Sequence, residues 1–344
     1  YPTSGEGKIF TAMTSGTTSI NAGANALNTE SFFTQILGFV EQMNLASQWN
    51  PRKEYWAAPN LTLAATKIPG FLCPSNSLYK DEYGGTVATP PAVDSVTLGL
   101  WRFDERGGTH ASDSSPFRMY GTAGPDVRTE FGRYRGARGF TATAQSFVFV
   151  PYNPTMETPR RFSIEAWVWL NDLSRYELSM IASRWTPVPN QQSWFLGVVG
   201  RRVPDVNTPS PGWFTPEVAI AGTGRLVFGF RPELAASTQS FTSNTVLPLQ
   251  RWVHVAATHD GEVVRLYLDG RLDVQMAVAN GIRRSDAPLV MGNVIDPRRL
   301  TEFGSDLQLE SSNLPLPYYA LNGMLDEVRL SNTARATFES ADLR

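Results

Sequence analysis

The sequence has one cysteine, three histidines and no lysine beyond Asp81. A lone Cys73 excludes an internal disulfide, a cysteine zinc site and an iron–sulfur cluster. His110, His254 and His259 are too few for chemistry that needs a histidine cluster. No apolar run approaches the roughly 18 residues of a membrane-spanning helix. Charge is also scarce, at 18% of residues, and 30 basic against 32 acidic side chains leave a net charge of −2. That balance argues against nucleic acid or an anionic membrane surface as partner. What is present is apolar: 42% hydrophobic over 344 residues, enough for a sizeable core and about two domains. The chain opens on Tyr1 rather than Met, so a removed upstream segment, a signal sequence or an anchor, is expected.

Composition divides the chain near residue 90. Lys8, Lys53, Lys67 and Lys80 all precede it, whereas the 25 basic residues beyond Asp81 are all arginine. The stretch 83–93, with Gly84-Gly85 and Pro90-Pro91, reads as a linker, flexible and then stiff. Residues 1–90 are expected to form a small α+β segment. They open on a Thr/Ser/Gly/Ala/Asn-rich stretch (11–28) with little from which to build a core. Asn28 or Thr29 can cap a following helix that carries Phe32, Phe33, Ile36, Leu37, Val40 and Met43 at helical spacing. Cys73, between Leu72 and Pro74, reads as a small buried residue of a short strand.

Residues 91–344 have a different grammar. Short alternating runs are separated by Gly, Pro, Asn and Asp clusters. Strands are predicted at 96–103, 146–150, 162–170, 178–185, 193–199, 226–231, 252–258, 263–269, 289–292 and 323–331. Asp260-Gly261 predicts a hairpin, and Asp269-Gly270 a second turn into another strand. A helical pattern is visible only at the C-terminus, 334–343. So many strands without intervening helices predict a mainly β, antiparallel sandwich or barrel. The strand 252–258 is apolar on both faces and so central, which makes His254 a hydrogen-bonded structural residue rather than a catalytic base. Trp167 and Trp169 share one strand face, with core packing the expectation and a sugar-stacking platform the alternative.

Five segments in order resemble the laminin G-like, concanavalin A-like jelly-roll family: Leu100-Trp101-Arg102-Phe103-Asp104-Glu105; Ala111-Ser112-Asp113-Ser114-Ser115; Phe162-Ser163-Ile164-Glu165-Ala166-Trp167-Val168; Arg251-Trp252-Val253-His254-Val255-Ala256 with Leu266-Tyr267-Leu268-Asp269-Gly270; and Gly323-Met324-Leu325-Asp326-Glu327-Val328-Arg329-Leu330. The resemblance implies an antiparallel β-sandwich jelly roll over residues 95–344. It also implies that the first and last strands meet, bringing Asp104 or Asp113 towards Asp326 around a structural Ca²⁺, a cation that takes six to eight oxygens. The alternative is that these acids are surface or capping residues. The loops 201–216 and 296–317 are long, proline-rich departures from the compact pattern.

Residues 1–80 resemble a bacterial pilin-like (pseudopilin) family of unknown function. The resemblance rests on 31–45, with its Glu41-Gln42 pair, on Ile68-Pro69-Gly70-Phe71-Leu72-Cys73-Pro74-Ser75, and on Tyr1-Pro2. It implies an extracellular or cell-surface bacterial protein. The wide apolar stripe of the 28–43 helix adds an expectation of self-association, as a homo-oligomer or filament with residues 1–90 at the contact.

Catalytic signatures are missing. No strand reads Glu-x-Asp-x-x-Glu, the pattern that sets paired carboxylates on one face for retaining glycan hydrolysis. Asp326 and Glu327 are adjacent and are expected to face opposite ways. There is no Gly-x-Ser-x-Gly elbow and no phosphate-binding glycine loop. The sequence therefore reads as a secreted or surface, non-catalytic binding or adhesion protein, with a glycan as candidate ligand. A structural subunit of an extracellular filament or layer and a glycan-active enzyme are the alternatives.

Overall fold

The structure, a computed structural model, describes residues 47–48, 90–158, 160–201, 222–234, 237–278, 281–303, 306–310 and 317–338. The chain divides into two compact units, Tyr1–Gly85 and Thr86–Arg344. Of the first, only the helical residues Ser47 and Gln48 are described. The expected 28–43 helix, the Cys73 strand and most of the 201–216 loop lie outside the described residues.

The second unit is built from antiparallel strands. In chain order they are β1 (Thr97–Trp101), β2 (His110–Ala111), β3 (Gly121–Ala123), β4 (Arg128–Phe131), β5 (Gly136–Thr141), β6 (Val148–Val150), β7 (Phe162–Leu170), β8 (Leu178–Trp185), β9 (Gln192–Val199), β10 (Arg225–Phe230), β11 (Gln239–Val246), β12 (Trp252–His259), β13 (Val263–Leu268), β14 (Arg271–Ala277), β15 (Leu289–Met291), β16 (Leu300–Phe303), β17 (Asp306–Leu309) and β18 (Asn322–Ser331). One sheet runs β14-β13-β12-β7-β18-β5-β4, with β1 also paired to β18. The other runs β11-β10-β9-β8-β15-β6-β3-β2, and β16-β17 form a separate hairpin. The first and last strands of the unit do meet, Leu100 opposite Arg329 and Trp101 opposite Val328.

Period-two patterning explains the sandwich. In β7, Phe162, Ile164, Ala166, Val168 and Leu170 face the core, which Val253, Val255 and Ala257 of β12 extend within the same sheet. Trp194, Leu196, Leu226 and Phe228 fill that core from the opposing sheet. Ser163, Glu165, Trp167 and Trp169 are left on the outer face of the first sheet.

Turn chemistry fixes two hairpins. Asp269 and Gly270 both take positive φ, 46° and 67°, as the two-residue β13–β14 loop requires. In the β12–β13 turn only Gly261 does so, at 105°. Asp260 instead accepts the N–H groups of Glu262 and Val263 on its carboxylate.

Two expectations change. Residues 334–338 run as a non-helical tail across the outer face of the first sheet, tied by Arg335 to both carboxylate oxygens of Asp94 at 2.7 and 2.8 Å. The 296–317 insertion, where described, is no open loop. Leu300, Leu307 and Leu309 of its hairpin pack on Phe147, Phe149 and Val290, and Gln145 exchanges two hydrogen bonds with the Leu309 backbone.

Candidate functional site

The outer face of the first sheet is polar and aromatic in composition, and its two ends meet different fates. At one end Glu165, His254 and Arg329 lie side by side on β7, β12 and β18, each essentially inaccessible to solvent. Arg329 Nε donates to Glu165 Oε1 at 2.6 Å, and His254 Nε2 lies 2.9 Å from Glu165 Oε2. Burial alone would raise the Glu165 carboxyl; its bond to His254 and the charges of His254 and Arg329 outweigh that and hold it below the usual carboxylate range. The C-terminal tail seals this end, with the Phe338 ring 5.1 Å from His254 and 5.0 Å from Tyr267. His254 is thus a packed structural histidine.

In the middle of the face the β4–β5 turn closes over the sheet. Asp326 accepts the Tyr134 N–H at 3.1 Å and Asp104 accepts the Gly136 N–H at 3.0 Å. Gly132 is required here, because a Cβ would stand 2.6 Å from Asp326 Oδ2 and 2.1 Å from the Gly136 carbonyl oxygen. Arg133 lies over the Trp167 ring, 5.0 Å from its centroid, and Trp167 is 3% exposed. Core-like packing therefore holds for Trp167.

Trp169, two residues on and on the same face, is not covered in this way. Strand register lines up Trp252 of β12, Trp169 of β7, Met324 of β18, Gly139 of β5 and Arg128 of β4 in one row straight across five strands. The two indoles are edge-on, 6.0 Å apart, and both are half-buried. The row ends in an open cleft of about 400 Å³. Gly139 supplies its floor without a side chain, and Arg128, Glu130, Thr141, Asn171 and Asn322 its polar rim. A relay orders that rim: Trp169 Nε1 donates to Asn171 Oδ1 at 3.1 Å, and Asn171 Nδ2 to Asn322 Oδ1 at 3.3 Å. Paired indoles beside amide, hydroxyl and guanidinium groups suit a ligand with apolar faces and hydroxyl edges. Only Trp169 of this row was singled out as a candidate in the sequence; the other members are joined to it by register alone.

The expected metal acids do not converge. Asp113 spends both oxygens on four donors, the Leu100, Ser115 and Met119 N–H groups and the Ser115 hydroxyl, at 2.7–2.9 Å. It organises a turn and offers no free lone pair to a cation. Asp104 and Asp326 do share a neighbourhood, together with Glu327. A β-bulge after Asp326, with Glu327 at φ 50°, breaks the alternation that would have turned the adjacent acids to opposite faces. Burial, reinforced by the Glu327 charge, pushes Asp326 up to about 8, and its Oδ1 has no hydrogen-bond partner. Burial also raises Glu327, to about 7, against the pull of Arg102, whose Nη1 grips both its oxygens at 2.8 and 3.0 Å. Asp326 is sealed from solvent and both oxygens of Glu327 are held by Arg102, an arrangement that does not fit the six to eight oxygens, waters among them, that Ca²⁺ takes. Among the described residues no group of three or more His, Cys, Asp or Glu side chains is placed to hold a metal ion.

Comparison with known families agrees with this architecture. The profile described as "Concanavalin A-like lectin/glucanases superfamily" matches residues 142–339. A second, "Protein of unknown function (DUF1559)", matches residues 8–146, running beyond the pilin-like 1–80 and across β1 to β5. No curated protein matches the chain. Similar solved structures include the binding domain of Paraclostridial Mosquitocidal Protein 1 (12% identity, 72% of this chain and 50% of that chain, TM-score 0.47). Domain 4 of AbnA, an extracellular GH43 arabinanase from Geobacillus stearothermophilus solved with arabinotriose, is another (16%, 72% and 98%, 0.47). The botulinum neurotoxin serotype G binding domain is a third (14%, 72% and 50%, 0.47). The chain thus spans about half the length of the first of these.

Proposed function

This chain belongs to the concanavalin A-like lectin/glucanases superfamily, and from that premise we propose that its sandwich is a non-catalytic, lectin-like module that binds a carbohydrate chain. The row Trp252–Trp169–Met324 running into the Gly139-floored cleft carries this reading. Sugar rings present C–H faces that stack on half-buried indoles, while the Asn171–Asn322 relay and Arg128 meet ring hydroxyls. The row crosses four strand spacings, about 19 Å at the usual separation, which favours an extended oligosaccharide over a single sugar. Binding rather than hydrolysis is supported by the state of the carboxylates. Asp326 and Glu327 are 0% and 2% exposed and lie beneath the β4–β5 turn, out of reach of a polymer on the surface. The pilin-like resemblance of the preceding segment, together with the DUF1559 match, supports a secreted or surface-displayed bacterial protein. No helix among the described residues is long and apolar enough to cross a membrane. A glycan array probed with the full chain and with Trp169→Ala tests the proposal. Selective binding of one polysaccharide class, weakened about tenfold in the variant, is expected; hydrolysis of the bound glycan would replace this reading with an enzyme.

A further inference from the structure

The two ends of the first sheet are treated differently. At β14, Asp273 stitches the edge to β11 of the other sheet, accepting the Thr245 N–H on Oδ1 at 3.2 Å and the Asn244 amide on its carbonyl at 2.9 Å. At the opposite end β4 has no second strand neighbour among the described residues. All four of its residues are exposed, and Phe131 is 91% accessible. The Gly132 N–H donates to the Arg135 carbonyl at 3.1 Å, closing the β4–β5 hairpin. Antiparallel alternation then makes Glu130–Ala137 and Arg128–Gly139 the hydrogen-bonded pairs, and turns the N–H and C=O of Thr129 and Phe131 outward. An outward-facing ladder beside a fully exposed phenylalanine is a template for another strand.

We propose that β4 pairs antiparallel with β4 of a second copy, about a twofold axis at Thr129, joining two sandwiches through one continuous sheet. Charge selects both the occupant and the register. Arg128 and Glu130 lie on the same face of β4, one on each side of Thr129. With Thr129 opposite its mate, Arg128 falls opposite Glu130 of the partner subunit twice over. Shifting the axis to Glu130 would set two glutamates against each other, which disfavours that register. The strand is thus self-complementary, where an edge blunted by like charges would repel a copy of itself. A four-residue ladder is smaller than the roughly 1,200 Å² of a standard interface, so the dimer belongs to the weak class. Its consequence is geometric. Arg128 and Glu130 also line the cleft, so pairing sets two clefts side by side on one face, where a long polymer engages both and gains by effective concentration.

The dimer does not rest on the carbohydrate reading, and its test is separate from it. Sedimentation velocity of the full chain over a wide concentration series should show a monomer–dimer equilibrium. Glu130→Arg should weaken it at least tenfold, and the swap Arg128→Glu with Glu130→Arg should restore it. Thr129→Pro removes only an outward N–H and should also leave monomers, with an unchanged melting transition showing that the fold is intact. Trp169→Ala should weaken glycan binding about tenfold while leaving the equilibrium untouched. A wild-type chain that stays monomeric throughout overturns the proposal, as does association that survives Glu130→Arg or Thr129→Pro in folded protein.

Discussion

Trp167 and Trp169 stand two residues apart on one strand and one face, yet one is 3% exposed beneath Arg133 and the other is half-buried and hydrogen-bonds Asn171 on the rim of an open cleft. The same contrast runs along the whole face. At the sealed end a carboxylate, an imidazole and a guanidinium satisfy one another under a C-terminal strap. At the open end an arginine, a glutamate and two asparagines rim a cleft of about 400 Å³. Residue type does not separate structural from ligand-ready groups here. What separates them is which neighbouring segment covers them.

The largest expected effect breaks the sealed end. Replacing Arg329 with Met strands the buried Glu165 charge and should cost about 3–5 kcal/mol in chemical denaturation. The folded fraction should still bind glycan as wild type does, because the cleft lies elsewhere. Equal loss of binding by the folded fraction would mean that the two ends are one unit.

A second effect depends on pH. Asp326 is raised from 3.8 to about 8 and Glu327 from 4.5 to about 7, so the folded state keeps protons that the unfolded chain releases. Unfolding is then coupled to proton loss, and stability falls as pH rises from about 4 to 8. Asp326→Asn removes the larger contribution, so its advantage over wild type should grow by roughly 3–4 kcal/mol between pH 5 and 8. Parallel stability–pH curves for the two proteins would contradict a neutral Asp326.

Trp169→Ala sharpens the contrast from the other side. Its indole is half-buried, so the melting transition should move little while glycan affinity falls about tenfold, near 1.4 kcal/mol. The smallest expected effect is that of a chelator. The carboxylate of Asp113 is saturated by four donors, and excess chelator should leave the melting temperature unchanged. A lowered melting temperature would restore the calcium site expected at Asp104, Asp113 and Asp326.

The sequence made the sandwich legible where strands are long and buried: β7, β8, β9 and β12 alternate or run apolar, and two aspartate–glycine pairs mark the turns after β12 and β13. It hid β4, whose Arg-Thr-Glu-Phe has no apolar alternation, and β11, whose Gln-Ser-Phe-Thr-Ser-Asn-Thr-Val is largely polar. Among the described residues both are edge strands held by a single neighbour, so pairing rather than burial defines them. The binding row was hidden for a different reason. Trp252, Trp169, Met324, Gly139 and Arg128 are scattered over about 200 residues, and only register aligns them. The opposite-face expectation for Asp326 and Glu327 failed at a bulge that no local signal marks.

The most direct test of a ligand-ready open end and a structural sealed one is a hydrogen–deuterium exchange footprint of the full chain, with and without a bound oligosaccharide. Protection should concentrate at 128–130, 139–141, 169–171 and 322–324, and be absent from 163–166 and 329–338. Protection confined to the sealed end, or spread over the opposing sheet with none along the tryptophan row, would contradict the account.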